Sequence, residues 1–358
     1  MKIYNTDKDV LEAARERMSY LFDEFETINV STSSGKDSTV LYHLALQEAI
    51  KRDRKIQVFF LDQEAEYQSS IDIIKVQMVH KNVIPMWYQV PAYMTNSTSY
   101  SDYFLYAWGK GEKWIREKDD LAIHEIKEDY PERFYEFFPW YESKNKDAAY
   151  LVGIRAEEGV IRFRAVTKFK GYSGIRWSTV TNDCKKFYPI YDWTVYDIWK
   201  YIYDYDIPYN KIYDLMFLDN VSIYNRMRVS NLIHEKSYKC LENLPKYEPE
   251  TYDKLCKRIG GISTAMRYSS EKLMFSNKQL PQHYKTWEEF RDFLLSNIPQ
   301  EEHRTKFSNR FDKQPKTEKI YQKQVGQLLL NDYEGSRGYD PNKESKIRKV
   351  KEKWMEIL

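Results

Sequence analysis

A stretch rich in Ser and Gly, INVSTSSGKDS at residues 28–38, has the residue types of an anion-binding loop. It follows an apolar strand and precedes a helix, where unpaired backbone amides and the helix dipole both favour negative charge. We therefore expect this loop to bind a phosphate group. The alternative is a plain strand-to-helix turn. The candidate ligands are Ser31, Ser33, Ser34, Gly35, Lys36 and Ser38, with Asp37 opening the helix.

Two acidic residues, Asp62 and Glu64, follow the second predicted strand, IQVFFL. In open parallel sheets the ligand crevice lies at the carboxyl ends of the strands, so both acids are expected near the guest of the loop. Carboxylate oxygens are suited to Mg²⁺ and to ribose hydroxyl groups. These residues could serve either purpose, or they could be solvated residues at a helix N-terminus.

A third polar group follows the predicted strand from Tyr150 to Ile154 and includes Arg155, Glu158 and Arg162. An arginine at this edge could bind phosphate or sulfate, because its guanidinium group is bidentate and stays charged. The alternative is a salt-bridged surface turn.

Hydrophobic periodicity predicts the elements that position these residues. One helix is predicted over residues 7–22, a second directly after the loop, and a third over residues 69–80. These helices alternate with buried strands, and the third strand is VIPMWYQV. A β-α-β-α-β series implies right-handed crossovers and an α/β fold with a doubly wound, mostly parallel sheet. Thr194 and Asp197 predict a capping box at the start of a later helix.

The pattern predicts two domains. Residues 1–205 form the sheet domain, and the aromatic and charged segment 92–147 is an insertion, expected to be mostly helical. Such an insertion is either a lid that faces the substrate or a packing element. Residues 206–358 form a mainly helical, polar domain that ends in a basic tail, since residues 304–358 hold 14 Lys and Arg against 8 Asp and Glu. The tail is either a solvated helix face or a binding segment for nucleic-acid phosphates.

Composition sets further expectations for this chain of 358 residues, of which 31% are charged and 42% hydrophobic. No apolar run approaches the roughly 18 residues of a membrane span, so no membrane contact is expected. The polar N-terminal segment does not have the pattern of a signal peptide. Three widely separated cysteines argue against a disulfide framework and predict a cytoplasmic location.

Three motifs, in the same order, resemble those of a known superfamily. Residues 33–38 resemble S-G-G-x-D-S, the pyrophosphate loop of the ATP-pyrophosphatase or adenine nucleotide α-hydrolase superfamily, with Ser34 in place of the first glycine. Gly153, Arg155, Glu158 and Arg162 match the G-x-R-x-x-E-x-x-x-R pattern of its phosphoadenylyl-sulfate (PAPS) reductases. The third motif, P-[LI]-x-x-W-x-x-x-D-[IV]-W-x-Y-I, is matched at Pro189, Trp193, Asp197, Trp199 and Tyr201.

The C-terminal half resembles one branch of this family. The order M-R-V-S, H-E-K, P-E-T-Y-x-K-L and R-I-x-G-I is similar to the PAPS-reductase-like branch called immunoglobulin-binding regulator A. That resemblance implies a ParB-like protein partner. Superfamily members often pair, which implies a possible homodimer. The residues that could close over the nucleotide from this half are Arg226, Arg228, His234, Glu235 and Lys236.

The resemblance implies a Rossmann-like fold that binds an adenine nucleotide, ATP or PAPS, with Mg²⁺. Ser33 to Ser38 would hold the pyrophosphate, with Gly153, Glu158 and Arg162 beside the nucleotide. Lys36 and Arg155 would neutralise developing charge. Asp37, with Asp62 or Glu64, would position the metal ion.

The resemblance fails at the cysteines. PAPS reductases carry a nucleophilic cysteine in an E-C-G-x-H motif, and related reductases add four cysteines for an iron–sulfur cluster. Here Glu235 to Cys240 is EKSYKC, and no Gly-x-His follows Cys240 or Cys256, so thiolate attack on sulfur has no evident agent. The chain has three cysteines rather than the four of such a cluster, so no iron–sulfur cluster is expected.

Three functions follow as hypotheses. The chain could cleave ATP between its α and β phosphates and transfer the adenylyl group, in nucleic-acid or sulfur modification. It could be a PAPS reductase with an unusual cysteine arrangement. It could also be a nucleotide-sensing regulator that binds without turnover.

Overall fold

The computed structural model describes residues 8–99, 102–125, 127–167, 171–223, 227–234, 238–268 and 279–335. Within these residues the strands are β1 (Ile28–Ser31), β2 (Ile56–Leu61), β3 (Val83–Tyr88), β4 (Ala92–Thr95), β5 (Phe104–Ala107), β6 (Ala149–Leu151), β7 (Ser178–Thr181) and β8 (Cys184–Phe187). The helices are α1 (Val10–Glu24), α2 (Lys36–Lys51), α3 (Gln68–Met78), α4 (Phe134–Ser143), α5 (Val160–Thr167), α6 (Val195–Asp204), α7 (Ile212–Leu218), α8 (Leu244–Tyr247), α9 (Pro249–Arg258), α10 (Ile262–Tyr268), α11 (Trp287–Ser296), α12 (Glu301–Phe311) and α13 (Glu318–Leu329).

Six strands form one sheet in the order β3-β2-β1-β6-β8-β7. All neighbouring pairs are parallel except β7 with β8. Val30 of β1 pairs with Val58 on one side and with Leu151 on the other. The strand order reverses at β1, and in such sheets ligands bind beyond the carboxyl ends of the strands at that switch point. The predicted α/β class with a mostly parallel sheet is confirmed.

Right-handed crossovers explain which elements cover each face. The sheet advances from β1 to β2 to β3 through α2 and α3, so both helices lie on one face, in a core that also contains α1 and α6. The chain then returns to the other side of β1 to form β6. The connection between β3 and β6 lies on the opposite face, where α4 supplies Phe137 and Tyr141 to a second core with Phe59 and Tyr88.

The sequence signals predicted for two helices, α1 and α6, are confirmed. α1 buries Ala14, Met18, Leu21 and Phe22 on one face, as its spacing predicts. Helix α6 begins after Thr194, whose side chain accepts from the Asp197 amide while the Asp197 carboxylate accepts from the Thr194 amide. This is the predicted capping box.

The insertion is less helical than its composition suggests. Within the described part of residues 92–147, regular structure consists of the short strands β4 and β5 and the helix α4. Elsewhere the segment is held by single contacts, such as the bridge between Ile123 and Tyr88 at the end of β3. The prediction of a mostly helical insertion is therefore wrong outside α4, because β4 and β5 pair with each other and tertiary context overrides the local pattern.

The described residues separate into two compact units. The sheet unit comprises residues up to Met94, Tyr106–Leu232 and Leu244–Arg258, and the helical unit comprises Thr95–Leu105, Ile233–Asn243 and the residues from Ile259 onward. These bounds differ from the predicted domains 1–205 and 206–358, which stay a prediction.

The helical unit has its own core. Asn331 donates from Nδ2 to the carbonyl oxygens of Asn96 and Tyr103, at 3.1 and 2.9 Å, and so fixes the 95–105 segment within this unit. The other core residues come from α11 to α13 and the turn after them, and they are Leu294, Ile298, Phe307, Phe311, Val325, Leu328 and Tyr333. None of the helices in the described residues is long and apolar enough to cross a bilayer.

Candidate functional site

The Ser/Gly loop lies where β1 ends and α2 begins. β1 ends at Ser31, and α2 begins at Lys36 after Gly35 as its N-cap residue. Ser34, which stands where the family pattern has glycine, has a φ of 57° and is fully buried. A residue with a side chain adopts this left-handed backbone at a cost of roughly 1–2 kcal/mol, so the loop is held by its surroundings.

Hydroxyl groups hold the loop together from inside. The Ser33 amide donates to Ser38 Oγ at 3.2 Å, and Ser38 Oγ donates to the Gly35 carbonyl oxygen at 3.0 Å. The Oγ atoms of Ser33 and Ser38 also lie 3.2 Å apart. These contacts keep the loop in a tight turn ahead of α2, whose first-turn amides lack partners within the helix.

Asp37 lies between two cations at the start of α2. Its Oδ2 accepts from Lys36 Nζ at 2.9 Å, and its Oδ1 is paired with Arg155 Nε. The side chains of Lys36 and Arg155 are only 6% and 3% exposed. Burial alone would raise the pKa of the Asp37 carboxyl, but Lys36 and Arg155 hold this pKa below its ordinary value of 3.8. The three side chains form an ionised cluster, whose remaining positive charge is balanced by the Glu157 carboxylate at Arg155.

Arg155 is fixed by several groups. Its Nη1 donates to Glu157 Oε2 at 2.7 Å and lies 3.5 Å from the Trp193 carbonyl oxygen. Glu157 Oε2 also accepts from the Val195 amide, at the start of α6, at 2.8 Å. Burial opposes the charge on Arg155, but the pKa of the guanidinium is nevertheless raised, with Asp37 as the main cause. The guanidinium is thus held in one orientation.

Gly153 brings the strand end after β6 against α2. A Cβ atom at position 153 would lie 3.1 Å from the backbone carbon of Asp37 and from the backbone nitrogen of Ser38. Only glycine fits at this distance without movement of the backbone. The family motif therefore has a structural reason at this position.

Replacing Gly153 with alanine is expected to destabilise the chain by about 1–3 kcal/mol, because α2 must shift to admit the methyl group. Thermal unfolding measures this. The matched control is Gly35→Ala, whose Cβ would meet first the flexible Ser33 hydroxyl, at 3.2 Å, with an ordinary φ of −70°. Equal unfolding temperatures for the two variants would contradict the assignment.

Glu158 and Arg162, the last two residues of the G-x-R-x-x-E-x-x-x-R motif, follow Arg155 along the chain. The Glu158 carboxylate accepts from the Arg155 amide at 3.0 Å and is also paired with Arg162. The Arg162 side chain is 46% exposed. The structure thus connects Glu158 to the loop cluster through Arg155, whereas Arg162 reaches the cluster through Glu158. Their roles in nucleotide binding stay predictions.

Asp62 and Glu64 are buried and paired with arginines, which is neither the metal or ribose site nor the solvated helix N-terminus considered from the sequence. Asp62 Oδ1 is paired with Arg116 and Oδ2 accepts from the side chains of Trp87 and Gln89, at 3.2 and 2.9 Å. Asp62 is 2% exposed and Glu64 is 0% exposed. These are not solvated residues at a helix N-terminus, and that alternative is wrong.

Glu64 accepts from three groups. Its Oε1 is 2.8 Å from Arg258 Nε and 3.3 Å from the Ile115 amide, and its Oε2 is 2.9 Å from the Trp108 amide. Both acids are therefore already neutralised by arginines in the sheet unit.

The predicted Mg²⁺ ligands do not form a site in this arrangement. Both oxygens of Asp37 are paired with cations, and so is one oxygen of Asp62, whose other oxygen accepts two hydrogen bonds. Among the residues that the structure describes, no group of three or more His, Cys, Asp and Glu side chains could hold a metal ion. These residues do not fit a resident Mg²⁺ ion, and no step below depends on one.

Two residues that contact the loop, Tyr213 and Asn210, could not be identified from the sequence. Tyr213, fully buried in α7, accepts at its hydroxyl from the Lys36 amide at 3.1 Å, and burial raises the pKa of this phenol. Asn210 Nδ2 donates to Ser70 Oγ at 3.1 Å and lies 3.4 Å from Ser34 Oγ. Asn210 lies in the turn after α6 and Tyr213 in α7, between the third superfamily motif and the M-R-V-S motif.

A cavity of about 350 Å³ opens beside the loop, inside the sheet unit. Its walls are formed by the loop and β2, by α4, and by the segment before residue 232. Its lining residues are Ser31, Thr32, Ser33, Phe59, Phe60, Leu61, Gln63, Glu66, Phe134, Tyr135, Phe138, Val229, Ser230 and Asn231. The lining is mostly apolar and aromatic, which is typical of small-molecule sites.

The residues proposed to close over the nucleotide are only partly described. Arg228 is exposed and next to Val229 of the cavity wall, and His234 is half-buried in the helical unit. Arg226, Glu235 and Lys236 lie outside the described residues, as does the end of the basic tail from residue 336.

Comparison with known proteins agrees with the motifs. Residues 27–267 match the model of the phosphoadenosine phosphosulfate reductase domain, and residues 221–333 match a domain of unknown function, DUF3440. The uncharacterized protein YbdN of Escherichia coli (strain K12) is 28% identical over 310 residues, which cover 82% of this chain and 76% of that protein. The adenosine 5'-phosphosulfate reductase of Bacillus cereus (strain 03BB102) is 23% identical over 211 residues, covering 59% of this chain and 78% of that protein.

Among solved structures, the FMN adenylyltransferase of Candida glabrata, in complex with FAD and inorganic pyrophosphate, matches with a TM-score of 0.36 and 14% identity. The match covers 57% of this chain and 58% of that one, so the chain spans little more than half of that enzyme's length. The family model, by contrast, covers the loop, the arginine motif and the helix α6 together. The chain belongs to the phosphoadenosine phosphosulfate reductase domain family.

Proposed function

We propose that this chain binds ATP, with the phosphates at the Ser31–Ser38 loop and the adenine in the adjoining cavity, and transfers the adenylyl group with release of pyrophosphate. One observation carries the proposal. The ionised cluster of Lys36, Asp37 and Arg155 lies at the N-terminus of α2, and residues 31–33 of the loop before this helix line a cavity with aromatic rings. Such a site combines helix amides and buried cations for phosphates with an apolar cavity for a base.

The chemistry follows from the charges. An acceptor oxygen or nitrogen attacks the α-phosphorus, the bond from the α-phosphorus to the bridging oxygen breaks, and its electron pair leaves with pyrophosphate. The acceptor releases its proton to solvent. Lys36 and Arg155 stabilise the negative charge that develops on the leaving pyrophosphate. Asp37 positions both cations for this role, and with water as acceptor the products are AMP and pyrophosphate.

The positions of the cysteines argue against PAPS reduction. None of the described residues that line the cavity is a cysteine. Cys184 is buried in the core beside α4, and burial raises the pKa of its thiol to about 12. A reductase needs a thiolate that reaches the substrate sulfur.

Incubation with ATP labelled in its α-phosphate, in magnesium chloride, tests the proposal. We expect AMP or an adenylylated acceptor together with pyrophosphate, and a loss of at least about a hundredfold in Lys36→Ala, since one charged donor to a developing oxyanion contributes that much. Lys51→Ala, at the exposed far end of the same helix, is the matched control and should be unchanged.

Other products would decide between the alternatives. Formation of ADP and phosphate would contradict cleavage between the α and β phosphates, and failure to bind ATP at millimolar concentration would contradict the nucleotide site. Adenosine bisphosphate and sulfite from PAPS, with a thiol reductant, would instead support the reductase. Tight ATP binding with no product would support a regulator. The ParB-like partner, nucleic acid as acceptor and a homodimer stay predictions.

A further inference from the structure

Three hydroxyl groups converge on the turn that begins α2. A Cβ atom placed on Gly35 would lie 3.2 Å from Ser33 Oγ and 3.6 Å from Tyr213 Oη. Ser38 Oγ would lie 3.9 Å from the same atom. Two of these hydroxyls belong to the loop and the first turn of α2, whereas Tyr213 lies in α7, 177 residues after Lys36. Tyr213 therefore brings a hydroxyl from a distant part of the sheet unit to the proposed phosphate site.

The position of Tyr213 is fixed by its neighbours. Asn210 accepts at Oδ1 from the Ile212 amide at 3.1 Å, and its carbonyl oxygen accepts from the Tyr213 amide at 3.2 Å. Asn210 Nδ2 in turn donates to Ser70 Oγ of α3 at 3.1 Å. The Tyr213 ring packs edge-on against Trp199 of α6, with ring centroids 5.3 Å apart, and Tyr213 is 2% exposed. These contacts hold the phenol in one direction, with its hydroxyl against the loop.

The Tyr213 hydroxyl accepts hydrogen bonds, but it donates none to the residues that the structure describes. The Lys36 amide, the first of α2, donates to Tyr213 Oη at 3.1 Å, and the Val229 backbone forms a further hydrogen bond with this hydroxyl. A phenol has one O–H donor besides its acceptor lone pairs. Because buried donors in folded proteins are almost always satisfied, this unused O–H is available to a ligand.

A phosphate oxygen is the acceptor that suits this O–H group. The hydroxyl lies at the N-terminal end of α2, where the helix amides and the helix dipole favour negative charge. Phosphate oxygens accept hydrogen bonds, and a bond to a charged acceptor is about twice as strong as one between neutral groups. The phenol is also polarised by the Lys36 amide that donates to it, and such chains of hydrogen bonds strengthen one another.

We propose that Tyr213 is a phosphate-binding residue whose hydroxyl donates to an oxygen of the pyrophosphate part of ATP at the Ser31–Ser38 loop, an inference that rests on the proposed function. The hydrogen bond forms without transfer of the proton, so the phenol stays neutral. The competing explanation is that the hydroxyl only caps α2 and competes with phosphate for the Lys36 amide. Removing the hydroxyl would then strengthen phosphate binding or leave it unchanged, whereas our proposal requires a loss.

The variant Tyr213→Phe removes the hydroxyl and keeps the ring. In equilibrium dialysis we expect labelled pyrophosphate to bind roughly ten- to a hundredfold more weakly, the range for loss of a hydrogen bond to a charged group, and adenosine binding to be unchanged. The matched control is Tyr150→Phe, since the buried Tyr150 hydroxyl donates to the Glu142 and Asn145 carbonyl oxygens at 3.1 and 3.0 Å. This control should bind pyrophosphate as the wild type does. Equal or tighter pyrophosphate binding by Tyr213→Phe would overturn the inference.

A fluorinated tyrosine separates a donor from a residue that only supports the loop. Replacing Tyr213 alone with 3-fluorotyrosine keeps the hydroxyl and makes it more acidic, hence a stronger donor and a weaker acceptor. In mildly acidic buffer, where the phenol keeps its proton, we expect tighter pyrophosphate binding than in the wild type. The fluorine NMR resonance should shift with pyrophosphate but not with adenosine. Binding no tighter than wild type, or a resonance that pyrophosphate leaves unmoved, would overturn the inference. Wild-type protein that binds neither ATP nor pyrophosphate would show instead that the proposed function itself is wrong.

Discussion

Replacing Asp37 with alanine is expected to lower the free energy of unfolding by about 3–5 kcal/mol, because it leaves two buried cations without their shared carboxylate. Lys36 and Arg155 are both almost fully buried, and each is paired with Asp37. Arg155 would keep Glu157, whereas Lys36 would keep no anionic partner among the residues that the structure describes. Urea unfolding followed by tryptophan fluorescence measures the change.

The control for Asp37 is an exposed ion pair of the same unit. Asp204 is paired with Lys200 at 2.6 Å, with side chains 40% and 73% exposed, so Asp204→Ala should cost no more than about 1 kcal/mol. A change in Asp37→Ala no larger than in Asp204→Ala would show that the buried cluster contributes little.

The same cluster predicts a pH dependence. Because Lys36 and Arg155 lower the pKa of Asp37 in the folded chain, its contribution to stability is fully present above the ordinary carboxyl pKa of 3.8. It is lost as the pH falls through the lower, folded value. The stability difference between wild type and Asp37→Ala should therefore be constant near neutral pH and shrink in acid below about pH 4.

Replacing Arg258 with methionine is expected to destabilise the sheet unit by a similar amount, about 3–5 kcal/mol, because Glu64 becomes a buried charge without its cation. Glu64 is 0% exposed, and Arg258 Nε lies 2.8 Å from its Oε1. Arg258 Nη2 also donates to the Tyr106 carbonyl oxygen at 2.9 Å. The midpoint of urea unfolding should fall while the slope of the transition stays the same.

A double variant tests whether the charge is the cause. Adding Glu64→Gln to Arg258→Met removes the unpaired carboxylate, so we expect much of the lost stability to return. Additive losses in the double variant would assign the effect to packing of the arginine stem instead. Arg162→Met, at a half-exposed position, is the matched control and should differ little from wild type.

The order of elements was predictable because its signals are local. Strand β1, helix α2 and strand β2 each carry a run of apolar residues with the period of its own structure, and Thr194 with Asp197 marks the start of α6 within four residues. The glycine at position 153 was likewise predictable from its motif, although only the structure shows that Asp37 and Ser38 are what it must approach.

The environments of the acids were not predictable, because their partners are distant in the chain. Asp62 is paired with Arg116, 54 residues later, and Glu64 with Arg258, 194 residues later. No spacing rule connects such positions, so the sequence suggested a metal or ribose site at acids that the fold neutralises. Glu66 is a related case, since its raised pKa depends on burial that no local pattern indicates.

The contribution of the Leu244–Arg258 segment to the sheet unit bears on how the chain is made. Glu248 accepts from the Gln68 and Ser69 amides, at 2.7 and 2.9 Å, and Arg258 neutralises Glu64, so the start of α3 and the turn after β2 are completed by residues synthesised almost two hundred positions later. A nascent chain on the ribosome can form the strands β1, β2 and β3 early, but it holds Glu64 uncompensated until Arg258 leaves the exit tunnel. Fragments that stop after α6 are therefore expected to need chaperones or to be degraded, and the smallest stable piece of this protein should extend at least to residue 258.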